Sequence, residues 1–227
     1  MAILQSAYIP WRGYFDLISS VDAFIFYDDV QFSQGDWRNR NIIRTSSGPK
    51  WLTIPVPKKH RIQRKICEIK CLSMEWKRDH LNKIAENYRR SKYLSEIFDI
   101  INPIYSNDET YISKINYQFI KSICEYLGIG TKLTWSWDYE SSPGKSERLV
   151  DLCRAVGADT YVSGPAAKSY LDVGLFEEAG IGVEWFSYDG LKPYPQLHGS
   201  FEGKVSILDL LLNVGPGSRQ YIPSICN

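Results

Sequence analysis

The chain of 227 residues carries 27 Lys and Arg against 26 Asp and Glu, a formal net charge of +1. With 44% hydrophobic and 23% charged residues it has the composition of an ordinary globular domain, which excludes a disordered tail, a collagen-like repeat and a coiled-coil rod. Near-neutral charge argues against broad binding to double-stranded nucleic acid, which needs a basic domain, but it leaves room for a local basic patch.

Residues 2–31 read as strand, loop, helix, strand. Ala2 to Gln5 is apolar, Ser6 to Gly13 carries Pro10 and Gly13 as loop signals, Tyr14 to Val21 has helical apolar spacing, and Ala23 to Tyr27 is a second apolar run ending in Asp28-Asp29. That is the start of a βαβ unit, whose parallel sheet places ligands beyond the carboxyl ends of its strands. Between Asp36 and Lys65 nine Lys and Arg stand against one Asp, so most of the excess positive charge lies here. Ile42-Ile43 and the run Trp51 to Val56 flank the turn signal Ser46-Ser47-Gly48-Pro49, which predicts a basic β-hairpin within about residues 36–72. Ile66 to Cys71 alternates and is expected to extend the same sheet.

Residues 75–127 read as a helical insertion in three pieces, about 75–91, 93–106 and 109–127, with Asn102-Pro103 expected to interrupt the second. The βα pattern then resumes. Strands are expected over 132–137, 159–163 and 183–188, helices over 146–156 and 206–213, and one or two short helices over 168–179, with Gly215 past the end of the last helix. The reading is a single α/β domain over 1–227: a parallel-sheet core with a β-hairpin and an inserted helical block.

The five cysteines are odd in number and scattered, which suits reduced thiols and a cytoplasmic setting better than a disulfide framework. The N-terminal run lacks the basic and apolar regions of a signal peptide, and no stretch approaches the ~18 apolar residues of a membrane span, so membrane insertion is not expected.

Four places carry candidate chemistry. In the first loop, Gln5, Tyr8, Trp11, Gly13 and Tyr14 surround a strand-to-helix junction, where free backbone amides favour anions and a glycine permits close approach. The alternative is a tight turn with packed rings. Trp37-Arg38-Asn39-Arg40-Asn41 combines a flat aromatic, two guanidiniums and two amides, the types that stack a base, grip a diphosphate and read hydroxyls; a solvated basic surface is the bland alternative. A regular strand would send Arg38 and Arg40 to one side and Asn39 and Asn41 to the other. Asp28 and Asp29 close the second strand and are candidates for a base or an amine-positioning group, with turn capping as the alternative. Ser163-Gly164-Pro165-Ala-Ala-Lys168, with Tyr170 nearby, follows a strand and opens a helix that could receive phosphate. Its spacing is not that of a Walker loop or a nucleophile elbow. His80 is a further candidate general base, although a lone histidine on a helix is more often structural. No His or Cys spacing suits a metal site of protein ligands, and the residues leave the identity of any cofactor open.

Several blocks in order, QSAYIPWRGYFDLI, VDAFIFYDDVQF, DWRNRNII, WLTIPV, YVSGPAAKSYLD and FEEAGIGVEWFSY, resemble the WbqC-like proteins of bacterial surface-polysaccharide clusters over nearly the whole chain. The resemblance implies a cytoplasmic protein acting on a nucleotide-linked sugar in O-antigen or related assembly, as a transferase of an acyl or aminoacyl group, such as glycyl, to an amino sugar. A more distant similarity is to nucleotidylyltransferase-like α/β cores, which begin in the same way with a His-x-Gly-His signature. Here Trp11 and Tyr14 stand where its two histidines would, which argues against nucleotidyl transfer. A non-catalytic nucleotide-sugar-binding protein is the remaining rival.

Overall fold

Alternation along the first two strands decides the architecture. In the computed structural model, which describes residues 1–33, 35–57 and 63–226, Ala2–Leu4 forms β1 and Ala23–Phe26 forms β2. Ala2, Leu4, Phe24 and Phe26 enter one apolar cluster, while Ile3 and Ile25 enter another on the opposite face. A strand apolar on both faces must be covered on both, which is the condition of a parallel sheet with helices on either side. Arg12–Ser19 (α1) contributes Phe15, Leu17 and Ile18 to the first cluster. Ser146–Ala155 (α5) and Val173–Glu178 (α6) bring Leu152, Cys153 and Phe176 to the second.

Lys132–Trp135 (β5), Thr160–Ser163 (β6) and Gly182–Trp185 (β7) complete a parallel five-stranded sheet of order β5-β2-β1-β6-β7. From β1 the chain winds outward through β2 to β5, then returns to β6 and winds the other way. Such a reversal opens a crevice beyond the carboxyl ends of the two central strands, β1 and β6.

The basic segment forms a separate antiparallel hairpin of Arg40–Thr45 (β3) and Gly48–Thr53 (β4), with Arg40 opposite Thr53 and Thr45 opposite Gly48. Lys58, Lys59, His60 and Arg61 of that segment lie outside the described residues. The expected strand over Ile66 to Cys71 is not formed. Ile66–Glu68 is a 3-10 turn, closed by the Glu68 carboxylate accepting from the Lys65 amide at 2.9 Å. The buried pair is Ile66 and Ile69, three apart, the spacing a 3-10 turn places on one side.

The helical block consists of Glu75–Asn87 (α2), Leu94–Ser106 (α3) and Ile112–Leu127 (α4). Pro103 does not interrupt α3. Its missing N–H frees the carbonyl of exposed Asp99, which water can satisfy, while buried Ile97, Ile101, Ile104 and Tyr105 hold the helix on the core. Ile207–Val214 (α7) is almost wholly apolar and starts at Ser206, whose hydroxyl accepts from the Leu208 amide. It ends at Gly215, where φ is +60° and an added Cβ would sit 2.3 Å from the Tyr93 ring, so only glycine fits. Pro223–Cys226 (α8) closes the chain against α1. Among the described residues no helix is long and apolar enough to cross a membrane, and Cys67, Cys71, Cys124 and Cys153 are free thiols.

Candidate functional site

A cavity of about 500 Å³ opens at the carboxyl end of β1, lined by Leu4, Ala7, Pro10, Trp11, Tyr14, Trp37, Arg38, Asn41, Ile42 and Lys204. Three stretches far apart in sequence build it: residues 4–14, running from the end of β1 into α1, residues 37–42 at the start of the hairpin, and the approach to α7. Its volume suits a small-molecule ligand, and its place at the edge of the sheet reversal is where open α/β sheets bind one. A second concavity of about 310 Å³, lined among others by Asp22, Gly130 and Thr131, lies at the opposite, amino ends of β2 and β5.

The loop over residues 5–11 is held in a conformation its sequence would not choose. Ile9 has φ +43°, the left-handed region that a β-branched side chain strongly disfavours. Asn41 compensates. Its Nδ2 donates to the carbonyls of Tyr8 at 3.0 Å and Ile9 at 2.8 Å, and its Oδ1 accepts from the Ile42 amide at 2.7 Å. The Tyr8 amide donates to the Trp37 carbonyl at 2.9 Å, and the Ile207 amide to that of Pro10 at 2.9 Å. Tyr8 itself is fully buried, its hydroxyl 2.8 Å from His80 Nδ1 and 2.6 Å from the Tyr105 hydroxyl.

Trp11 lies 5.0 Å between ring centroids from Tyr188 on one side of the cavity. Its indole folds back over the first turn of α1, where a Cβ on residue 13 would meet Trp11 Cζ2 at 2.4 Å. Gly13 therefore makes room for this ring. Tyr14 donates its hydroxyl to the Gln5 carbonyl at 3.0 Å. Arg12, between them in sequence, is outside the lining: it is buried, donates to the carbonyls of Lys192 and Tyr221, and sits over the Tyr194 and Phe201 rings.

In the basic segment the expected alternation holds: Asn39 and Asn41 are buried, and Arg38 and Arg40 are not. The two arginines nevertheless separate. Arg38 precedes the strand and lines the cavity, donating Nη1 to the Ser6 carbonyl at 2.6 Å, with Asp36 3.5 Å from a buried Nε that lacks a hydrogen-bond acceptor. Arg40 donates to the Gly35 carbonyl and stacks 4.3 Å above the Trp51 ring, outside the cavity. The Asn39 amide donates to the Ile54 carbonyl. Trp37 is 44% exposed, lines the cavity, and stacks on Trp51 at 5.5 Å.

Asp28 lies beneath Arg38 rather than in the lining. Its Oδ1 accepts from the Ser6 amide at 2.7 Å and its Oδ2 from the Ser113 hydroxyl, while Asn116 ties the Ser6 hydroxyl to the Arg38 carbonyl at 3.0 and 2.9 Å. Burial raises the Asp28 carboxyl above the usual range, against the opposing pull of those hydrogen bonds and of Arg38. Asp29 is engaged by the Ser136 hydroxyl and by Arg148. His80 is 2% exposed among Tyr8, Trp76 and Tyr105, and burial lowers its pKa to about 4.

The loop after β6 stands apart from the cavity lining. Ser163 ends β6, Gly164 caps a five-residue 3-10 turn, Pro165–Ser169, and Lys168 on that turn lies 5.6 Å from the Trp185 ring. Tyr170 is 66% exposed. Of the residues singled out in the sequence, the structure thus gathers Trp11, Tyr14, Trp37, Arg38 and Asn41 into one lining. It leaves Gln5, Tyr8, Gly13, Asn39, Arg40, Asp28, Asp29 and His80 behind or beside it, and Ser163, Gly164, Lys168 and Tyr170 elsewhere. Lys204 has no spacing or motif that marks it; only the fold of the approach to α7 brings it to the cavity.

The sequence model of the WbqC-like protein family matches residues 5–221 of the chain. A protein of Mycobacterium tuberculosis, described as uncharacterized protein Rv1507c, is 50% identical over 223 residues, covering 98% of this chain and 96% of its own. No solved structure gives a significant match.

Proposed function

The chain belongs to the WbqC-like protein family, and from that premise we propose that it binds a nucleotide-linked sugar in the cavity at the end of β1. On this reading it transfers an acyl or aminoacyl group to the amino sugar in cytoplasmic surface-polysaccharide biosynthesis. The observation that carries the reading is the lining itself, which is mostly apolar and includes the indoles of Trp11 and Trp37 together with Arg38. A nucleobase offers a flat face to an indole, and a diphosphate offers oxygens to a guanidinium. In this reading Asp28 positions Ser6 and Arg38 from beneath.

The likeness of the Pro10-to-Tyr14 stretch to nucleotidylyltransferase-like cores supports nucleotide binding. Trp11 and Tyr14, replacing both imidazoles, argue against nucleotidyl transfer. A second reading, binding without turnover, is favoured by one observation: Asp28, Asp29 and His80 all spend their polar atoms on protein partners. Thermal-shift measurement with dTDP-, UDP- and GDP-linked sugars tests the shared claim, since a ligand that binds only the folded state raises its melting temperature. Mass spectrometry after incubating a bound amino-sugar nucleotide with acyl or aminoacyl donors then separates the two readings. No shift with any of these ligands would overturn both.

A further inference from the structure

Resting on the proposed nucleotide-sugar site, we infer that Lys204 is a second cation of that site, beside Arg38, and pairs with the phosphate oxygens of a nucleoside diphosphate. Only some polar groups of the lining remain free. Asn41 spends both donors and its acceptor on the protein, and Tyr14 donates to the Gln5 carbonyl. Among the described residues, the Trp11 and Trp37 indole N–H groups, the rest of the Arg38 fork and the Lys204 ammonium have no hydrogen-bond acceptor. All of these are donors. No carboxylate lines the cavity, so its side chains suit a ligand rich in acceptors, with a flat or apolar body for the indoles.

Charge then separates Arg38 from Lys204. Arg38 is already partly met, by Asp36 at 3.5 Å and the Ser6 carbonyl at 2.6 Å, and Asp28 lies close enough below to be influenced by it. The Lys204 ammonium has no ion pair among the described residues, so it is the lining charge left uncompensated. Its position is built. The Gln196 side chain accepts from the Glu202 amide at 2.8 Å and donates to the Glu202 carbonyl at 3.0 Å, closing a loop, and Glu202 Oε1 accepts from the Lys204 amide at 2.8 Å. Arg44 of β3 donates to the carbonyls of His198 and Ser200, tying that loop to the hairpin. Two residues on, the Ser206 amide donates to the Ile42 carbonyl at 2.8 Å. The backbone on both sides of Lys204 is thereby fastened to the wall of the cavity, whose lining it shares with Arg38.

The test titrates UDP, dTDP and GDP calorimetrically into the full chain and into Lys204→Ala, Lys204→Arg and the surface control Lys121→Ala. It is run at ionic strengths of about 0.01 M and 0.1 M, where the screening length falls from about 30 to about 10 Å. Lys204→Ala is expected to weaken the best-bound diphosphate on the order of tenfold at low salt, and to show a smaller salt dependence than the parent. Lys204→Arg should keep most of the affinity, and Lys121→Ala all of it. Because Lys204 is exposed, the variants should fold, as their melting curves will show. Equal binding by the parent and Lys204→Ala overturns this inference while leaving the nucleotide-sugar reading in place. Failure of the parent to bind any of the three diphosphates overturns both.

Discussion

Two loops leave the central strands at the same edge of the sheet, and they differ in what holds them. The loop after β1 is buried, bonded through its carbonyls and amide to Asn41, Trp37 and Ile207, and strained at Ile9. The loop after β6 is an exposed 3-10 turn whose bonds are mostly to itself, such as Ala167 to Gly164 and Ser169 to Ala166. Both sit where a parallel sheet offers a ligand site, yet the cavity forms beside the first. What separates them is the hairpin, which packs over one loop and not the other. A binding cavity needs a second wall, and it is found where long-range contacts supply that wall.

The comparison can be broken most severely at Asn41. Asn41→Ala removes both donors from buried carbonyls of a strained loop, and urea denaturation should show a loss of about 3–4 kcal/mol. A loss below about 1 kcal/mol would mean that the loop holds its shape without the hairpin.

The loop's other anchor is testable through pH. His80, hydrogen-bonded to Tyr8, has its pKa lowered to about 4 from 6.5 by burial, so between those values the unfolded chain binds a proton that the folded chain does not. Stability should therefore rise with pH across that window, and fall by up to about 3 kcal/mol as pH drops from 6.5 to 4. His80→Gln should flatten that slope relative to the parent in parallel denaturation series. An unchanged slope assigns it to other groups.

Arg38→Lys sharpens the contrast in ligand terms. A lysine cannot reproduce the guanidinium's fork, so binding of the best nucleotide-sugar should weaken by about 1.5–3 kcal/mol in calorimetric titration. Arg40→Lys, outside the lining, should change it much less. The smallest effect is expected in the second loop: Lys168→Ala should alter unfolding stability by no more than about 0.5 kcal/mol. A larger loss would show that this turn, too, is anchored.

Much of the scaffold was legible in the residues. Two-residue alternation with both faces apolar specifies buried parallel strands, a Ser-Ser-Gly-Pro turn between apolar runs specifies a hairpin, and Gly215 marks the end of α7, because each signal acts within a few residues of backbone. The two failures were local too: Ile66 to Cys71 matched a strand's alternation while burying residues three apart, and Pro103 was tolerated because the carbonyl it frees faces water. The site was legible only as a set of residue types. That Arg38 faces the cavity and Arg40 stacks on Trp51, and that Asn41 holds a backbone rather than a ligand, was decided by the packing of the hairpin on the loop, through bonds spanning 32 and 33 residues. Lys204 reaches the same cavity because α7 begins between that hairpin and that loop. Sequence periodicity states which side of an element is apolar; which distant element covers that side follows from how all the apolar faces are buried at once, and that is settled only when the chain is folded.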